Sequence, residues 1–277
     1  MVFWSSGFIT AKLGLFYVEP MTFLALRFAM AAVLLLLVAL IWHVAWPKSW
    51  VEVGHITASG LLIHGVYLGG VLASIDHGVE AGVSSLIVSL QPLVTAALAA
   101  WFLGERATWL QWFGLVLGLA GVTLVVLNKL GLGIGTPLGM GLSVLALFGI
   151  TIGTLYQKQF CTAMNLISGN AIQFMGACAV MTVLAFALES RKVIWSGEFI
   201  FALIWSVVVV SLAAITLLYV LIRGGAMARA VSLIYLVPAS TALIAWRLFD
   251  EAFGPVALAG MAFAMIGVAL VNVTTRS

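Results

Sequence analysis

Charged side chains are scarce in this 277-residue chain, 8% of the total where soluble domains carry about 25%. With 64% apolar residues beside them, the chain cannot clothe a water-facing surface, and a soluble globular domain is excluded. The two cysteines, Cys161 and Cys178, lack CxxC spacing and sit in apolar surroundings, which leaves neither a disulfide framework nor a zinc site. The twelve basic residues are scattered singly, so nucleic acid is not an expected partner. There is no HExxH helix, no acid pair spaced for a metal and a diphosphate, and no nucleophile with its base, so no enzyme, metal or cofactor is expected. No charged n-region with a small-residue cleavage site opens the chain, and its start reads as mature structure.

What is present is a succession of long apolar runs. Hydropathy and breakers divide the chain into ten, at about 1–17, 20–42, 51–75, 79–103, 107–128, 138–161, 166–188, 198–222, 227–249 and 255–274. Each approaches the roughly 20 residues of one bilayer crossing. Backbone groups in hydrocarbon must be satisfied within the segment, and these runs far exceed a barrel strand, so all ten are expected to be helices. The fold expected is an all-α integral membrane protein with the lipid bilayer as its surroundings. The first run is short, and reads as a tilted helix or one that begins upstream of Met1.

One displacement, 146 residues, aligns the two halves without a gap. Between columns 78 and 125 it matches twelve identical pairs, among them Pro92 with Pro238, Glu105 with Glu251, Gly114 with Gly260 and Gly121 with Gly267. It also matches Gly7 with Gly153, Lys12 with Lys158 and Phe28 with Phe174. Two five-helix repeats are therefore expected, 1–131 and 138–277. An odd number of crossings per copy makes the second inverted, the organisation of secondary transporters whose substrate sits near the midplane between repeats. One chain then suffices as a complete unit. Basic residues divide evenly between the two sets of helix ends, so charge leaves the orientation open.

The stretches Phe3-Trp-Ser-Ser-Gly-Phe, Pro20 to Arg27-Phe28, Ser89-Leu-Gln-Pro92 and Leu103-Gly-Glu-Arg106, with Gly114 and Gly121, resemble the EamA-type drug/metabolite transporter superfamily. The second copy repeats the pattern in Val237-Pro238, Asp250-Glu251, Gly260 and Gly267. The resemblance spans the chain. It implies ten helices, both termini cytoplasmic, the bacterial inner membrane, and export of small metabolites, with aromatic and neutral amino acids the favoured cargo. A multidrug or quaternary-ammonium exporter is the runner-up, and a membrane-embedded enzyme a more distant one.

Polar side chains at helical spacing mark the faces turned away from lipid. Trp4, His64, Tyr67, Ser85, Gln91, Thr154, Gln173 and Tyr235 are the candidates for lining a cavity between the copies, built from helices 1, 3, 4, 6, 8 and 9. Interhelical hydrogen bonding competes with that role for the serines and threonines. Pro92 and Pro238 remove a backbone donor within helices 4 and 9 and are candidate hinges, with a static kink as the plain alternative. Glu105 and Glu251 are placed to cap the helix that follows each of those. Lys12, Lys158 and Arg27 lie near helix ends, where snorkelling accounts for them. All nine acids fall at or near span ends, which argues against carboxylate-driven proton antiport. His64 is the ionisable group nearest a span centre and the fallback proton site.

Overall fold

A computed structural model describes residues 2–102, 108–213 and 237–274, with side chains at 5–98, 108–212 and 237–270. Ten helical runs and no strand occur among these residues. They are α1 (Val2–Leu15), α2 (Pro20–Ile41), α3 (Trp50–Asp76), α4 (Ala81–Val88 continued by Gln91–Phe102), α5 (Trp109–Gly131), α6 (Pro137–Phe160), α7 (Leu166–Leu188), α8 (Gly197–Trp205 continued by Ser206–Ala213), α9 (Val237–Phe249) and α10 (Pro255–Thr274). Six runs, from Pro20–Ile41 through Leu166–Leu188, are long and apolar enough to cross a membrane, and three shorter apolar helices follow.

The helix starts are chemically marked. Ser49, Thr108, Thr136, Asn165 and Ser196 each accept a backbone N–H of the first turn, and Thr108 and Gln111 form a full capping box. Two helices are capped from the other half of the chain. Glu189 accepts the N–H groups of Met21 and Thr22 at the start of α2, at 2.6 and 2.7 Å. Glu251 accepts those of Ala81 and Gly82 at the start of α4, at 2.9 and 3.1 Å. Glu251 is thus a cap, but of α4 rather than of the helix that follows it. A carboxylate delivered from elsewhere in the bundle meets the same exposed N–H groups and helix dipole. Glu105 lies outside the described residues.

Two pairs of helices that correspond under the displacement pack closely against one another. α2 and α7 run antiparallel: Glu189 meets Thr22 at one end, Phe28 packs on Phe174 in the middle, and Ser168 donates to Ala45 O at the other end. α5 and α10 cross where glycines let the backbones touch. A Cβ on Gly121 would stand 2.5 Å from Gly260 O, and one on Gly267 would stand 2.5 Å from Gly114 O. Small residues at such a crossing replace the hydrophobic drive that lipid removes. The core gathers around Phe23, Phe28, Phe174 and Phe199 on one side of the bundle, and around Leu86, Leu93, Val125 and Ala264 on the other.

Candidate functional site

Two helices change their winding at matching places. α3 becomes a π-helix at Leu61–Val66 and α8 does so at Ser206–Ala213. Shifting 61–66 by 146 gives 207–212, so the two π segments coincide under the displacement. A π turn carries an extra residue, turns side chains out of the α register and frequently marks a working site. Here Ile63 and His64 of the first segment and Val210 and Ser211 of the second line one cavity of about 210 Å³. α1, α2, α6 and α7 complete the wall, so both halves contribute to it.

Most of that wall is apolar, with Phe8, Leu68, Val71, Ile150 and Phe174 among its members. The polar groups fall into two sets. On one side Gln173 Nε2 donates to Ser59 Oγ at 2.8 Å and to Gln157 Oε1 at 3.1 Å, while Asn170 Nδ2 donates to Leu166 O. On the other, Arg27 is only 3% exposed, and its Nε and Nη2 point to the Ser211 hydroxyl at 3.3 and 3.2 Å. His64 stacks on Phe174 with ring centroids 4.3 Å apart, and its Nε2 is buried with no hydrogen-bond partner among the described residues. Among the lining residues there is no Asp or Glu.

Of the residues singled out in the sequence, His64, Tyr67 and Gln173 line this cavity together. Thr154 and Gln91 lie outside its lining, with Gln91 Nε2 donating to Thr154 Oγ1 at 3.2 Å and Thr154 bonding back to Ile150 O. Ser85 is buried and donates to Gly82 O. Trp4 belongs to α1, but its side chain is outside those described, and Tyr235 lies outside the described residues altogether. Pro92 is the second residue of the α4 segment that resumes after a break at Ser89 and Leu90, and Pro238 lies in α9, whose described residues begin at Val237. The lining draws on α2, which the sequence reading left out, and on α7, which it represented by Gln173 but omitted from its list of lining helices; it draws on no described residue of α4. Snorkelling does not describe Arg27, whose guanidinium turns inward to the cavity. A usable signal existed: under the displacement Arg27 corresponds to Gln173, already chosen as a lining residue.

One end of the bundle is held by a second cluster of charges. Lys12 Nζ lies 2.7 Å from Glu251 Oε1 and over the Phe249 ring. Lys129 Nζ lies 2.6 Å from Glu80 Oε2, donates to Ala252 O and sits over the Phe253 ring. Glu80, at the head of α4, has its carboxyl held above the usual range by burial, which the hydrogen bond and charge of Lys129 oppose. The α9–α10 connection is thereby fastened to α1, α4 and α5.

Comparison with known proteins follows this architecture. The model of the EamA-like transporter family matches twice, over residues 1–127 and 137–273. The chain belongs to the EamA-like transporter family. It is a multi-pass membrane protein, and its family and relatives carry transporter names. The uncharacterized transporter YvbV of Bacillus subtilis is 25% identical over 285 residues, covering 100% of this chain and 90% of that protein. The uncharacterized inner membrane transporter YedA of Escherichia coli is 26% identical over 274 residues, covering 97% and 88%. A probable amino-acid metabolite efflux pump of Escherichia coli is 29% identical over 159 residues, 57% of this chain and 51% of that protein. A solved protein structure superposes with a TM-score of 0.69 at 16% identity, covering 100% of this chain and 95% of that one, a likeness of fold.

Proposed function

We propose that this chain is a secondary transporter that exports small metabolites, amino acids foremost, across the bacterial inner membrane by alternating access around the central cavity. The observation that carries this reading is the cavity itself, walled by paired π segments from the two halves. Its volume of about 210 Å³ is below the roughly 300–1,000 Å³ of sites for drug-sized ligands, which favours a metabolite over a bulky drug. The absence of a lining acid disfavours a quaternary ammonium.

An inverted pair of repeats, 1–131 and 138–277, is supported by the antiparallel packing of α2 on α7 and α5 on α10, and by the exchange of Gly114–Gly267 with Gly121–Gly260 under the displacement. Alternating access needs two ends that open in turn. At one end Lys12 is paired with Glu251, while its counterpart Lys158, at the end of the corresponding helix, is exposed. Breaking the Lys12–Glu251 pair while Lys158 gains a partner at the other end would exchange the open end. Movement runs down the substrate gradient in this reading, since no carboxylate lines the cavity among the described residues. Both termini are cytoplasmic in this reading.

The test is flux in liposomes loaded with a panel of neutral and aromatic amino acids, without an imposed pH gradient or voltage. Equilibration of one or more is the expected result. Accumulation that requires a pH gradient and vanishes in His64→Ala would replace the facilitator with a proton-coupled carrier, and flux of a quaternary ammonium alone would replace the substrate class.

A further inference from the structure

The cavity holds one charge, and no acid among the described residues balances it. Of the nine acids in the sequence, eight lie in described residues and none forms an ion pair with Arg27. The ninth, Glu105, is outside the described residues, and its counterpart Glu251 sits at a helix end. Ser211 is no substitute. Its hydroxyl donates to Ser206 O at 3.1 Å across the π turn and offers Arg27 only a neutral lone pair. An arginine keeps its charge under all ordinary conditions, and a buried ion without a partner costs several kcal/mol. That cost is relieved when a ligand brings an anion, and a guanidinium fork matches a carboxylate with two parallel hydrogen bonds.

We propose that Arg27 is the carboxylate-recognising residue of the cavity, and that the site reads a single carboxylate on an apolar or aromatic body without reading an amino group. This rests on the transporter reading and names its substrate class. Under the displacement Arg27 corresponds to Gln173, so the two copies present a cation on one side and a neutral amide on the other. A ligand therefore has one preferred polarity, acid toward Ser211 and Arg27, body against Phe8, Phe174 and Tyr67. An ammonium finds no acid among the lining residues, only neutral oxygens such as those of Tyr67, Gln157, Asn170 and Gln173, which serve a hydroxyl or amide donor equally well.

Four ligands of one body separate the contributions: phenylalanine, hydrocinnamate (no amine), phenethylamine (no carboxylate) and phenylalaninamide (carboxylate neutralised). Binding to the purified full chain in detergent is measured by calorimetry, and flux of the first two in liposomes. Phenylalanine and hydrocinnamate are expected to bind within a few-fold of each other, and the other two at least about tenfold more weakly, the loss of a charge-assisted hydrogen bond. Arg27→Gln, which makes the site resemble its counterpart, should remove that discrimination, and Arg27→Lys should restore part of it. Ser211→Ala, which keeps the charge but frees the fork, should weaken both acids and leave the other two unchanged. Equal binding of phenethylamine or phenylalaninamide by the unaltered protein would overturn the proposal without any variant having to fold, and so would binding of none of the four. Flux of phenylalanine without carboxylate selectivity would leave the transporter standing and the Arg27 assignment fallen; selective binding with no flux would do the reverse.

Discussion

The two cations near the α9–α10 connection, Lys12 partly buried and Lys129 fully, and the one in the central cavity obey the same electrostatics and reach opposite outcomes. Lys12 and Lys129 each have an acid within 2.7 Å and an aromatic ring beneath. Arg27 is as deeply enclosed as Lys129, yet has a single hydroxyl as its hydrogen-bond partner among the described residues. Charges completed within the chain fasten helices to one another. A charge left incomplete beside a cavity is completed by whatever enters, which is how a structural ion and a recognition ion can be told apart in one molecule.

Substitutions at five positions would break or sharpen that contrast. The largest effect is expected from Glu251→Ala, which removes the partner of Lys12 and two N–H acceptors at the head of α4. Breaking a fully buried pair from one side costs about 3–5 kcal/mol, and because Lys12 keeps 21% of its side chain exposed a loss at the low end is expected, to be read as lowered resistance to thermal unfolding in detergent. Lys12→Met in the Glu251→Ala background should add little, and full additivity in the double-mutant cycle would show the pair to be uncoupled. Next comes Arg27→Met, where the prediction reverses sign. Removing an uncompensated buried ion should leave the ligand-free protein as stable or more stable, by about 1–4 kcal/mol, while response to a carboxylate ligand disappears. Destabilisation on the scale of Glu251→Ala would place Arg27 with the structural ions.

Gly60→Ala probes the amide side of the cavity, because its new Cβ would stand 2.6 Å from both Cα and Cβ of Gln173. Overpacking of that kind costs about 1–3 kcal/mol, and it should weaken ligand binding by shifting α7 against α3. Unchanged binding would detach Gln173 from the site. Glu19→Gln should have the smallest effect. The Ser190 hydroxyl foremost, with the Arg191 and Ser190 N–H groups, holds this exposed carboxyl below its usual 4.5. A lowered folded-state value contributes stability that is present above 4.5 and is lost as pH falls through the folded value, so Glu19→Gln should flatten the acid limb of a stability profile and change nothing near neutrality.

Helix number, helical class and the displacement of 146 residues were legible in the chain by itself, because apolar run length and the need to satisfy every backbone group in lipid are properties of the local sequence. Part of the site was legible for the same reason: His64, Tyr67 and Gln173 are polar groups that lipid would not accept, and they line the cavity. Gln91 and Thr154 met the same criterion and found each other instead, a choice that depends on which helices become neighbours. Tertiary structure alone decided that Glu251 caps α4 from across the bundle, that α3 and α8 unwind into facing π turns, and that Arg27 points inward with no acid beside it. Composition and periodicity report how much each residue resists lipid. They do not say which partner it will meet, because partners that satisfy a buried charge or amide are brought together by helix packing between residues far apart in the chain, 63 positions for Gln91 and Thr154 and 184 for Arg27 and Ser211.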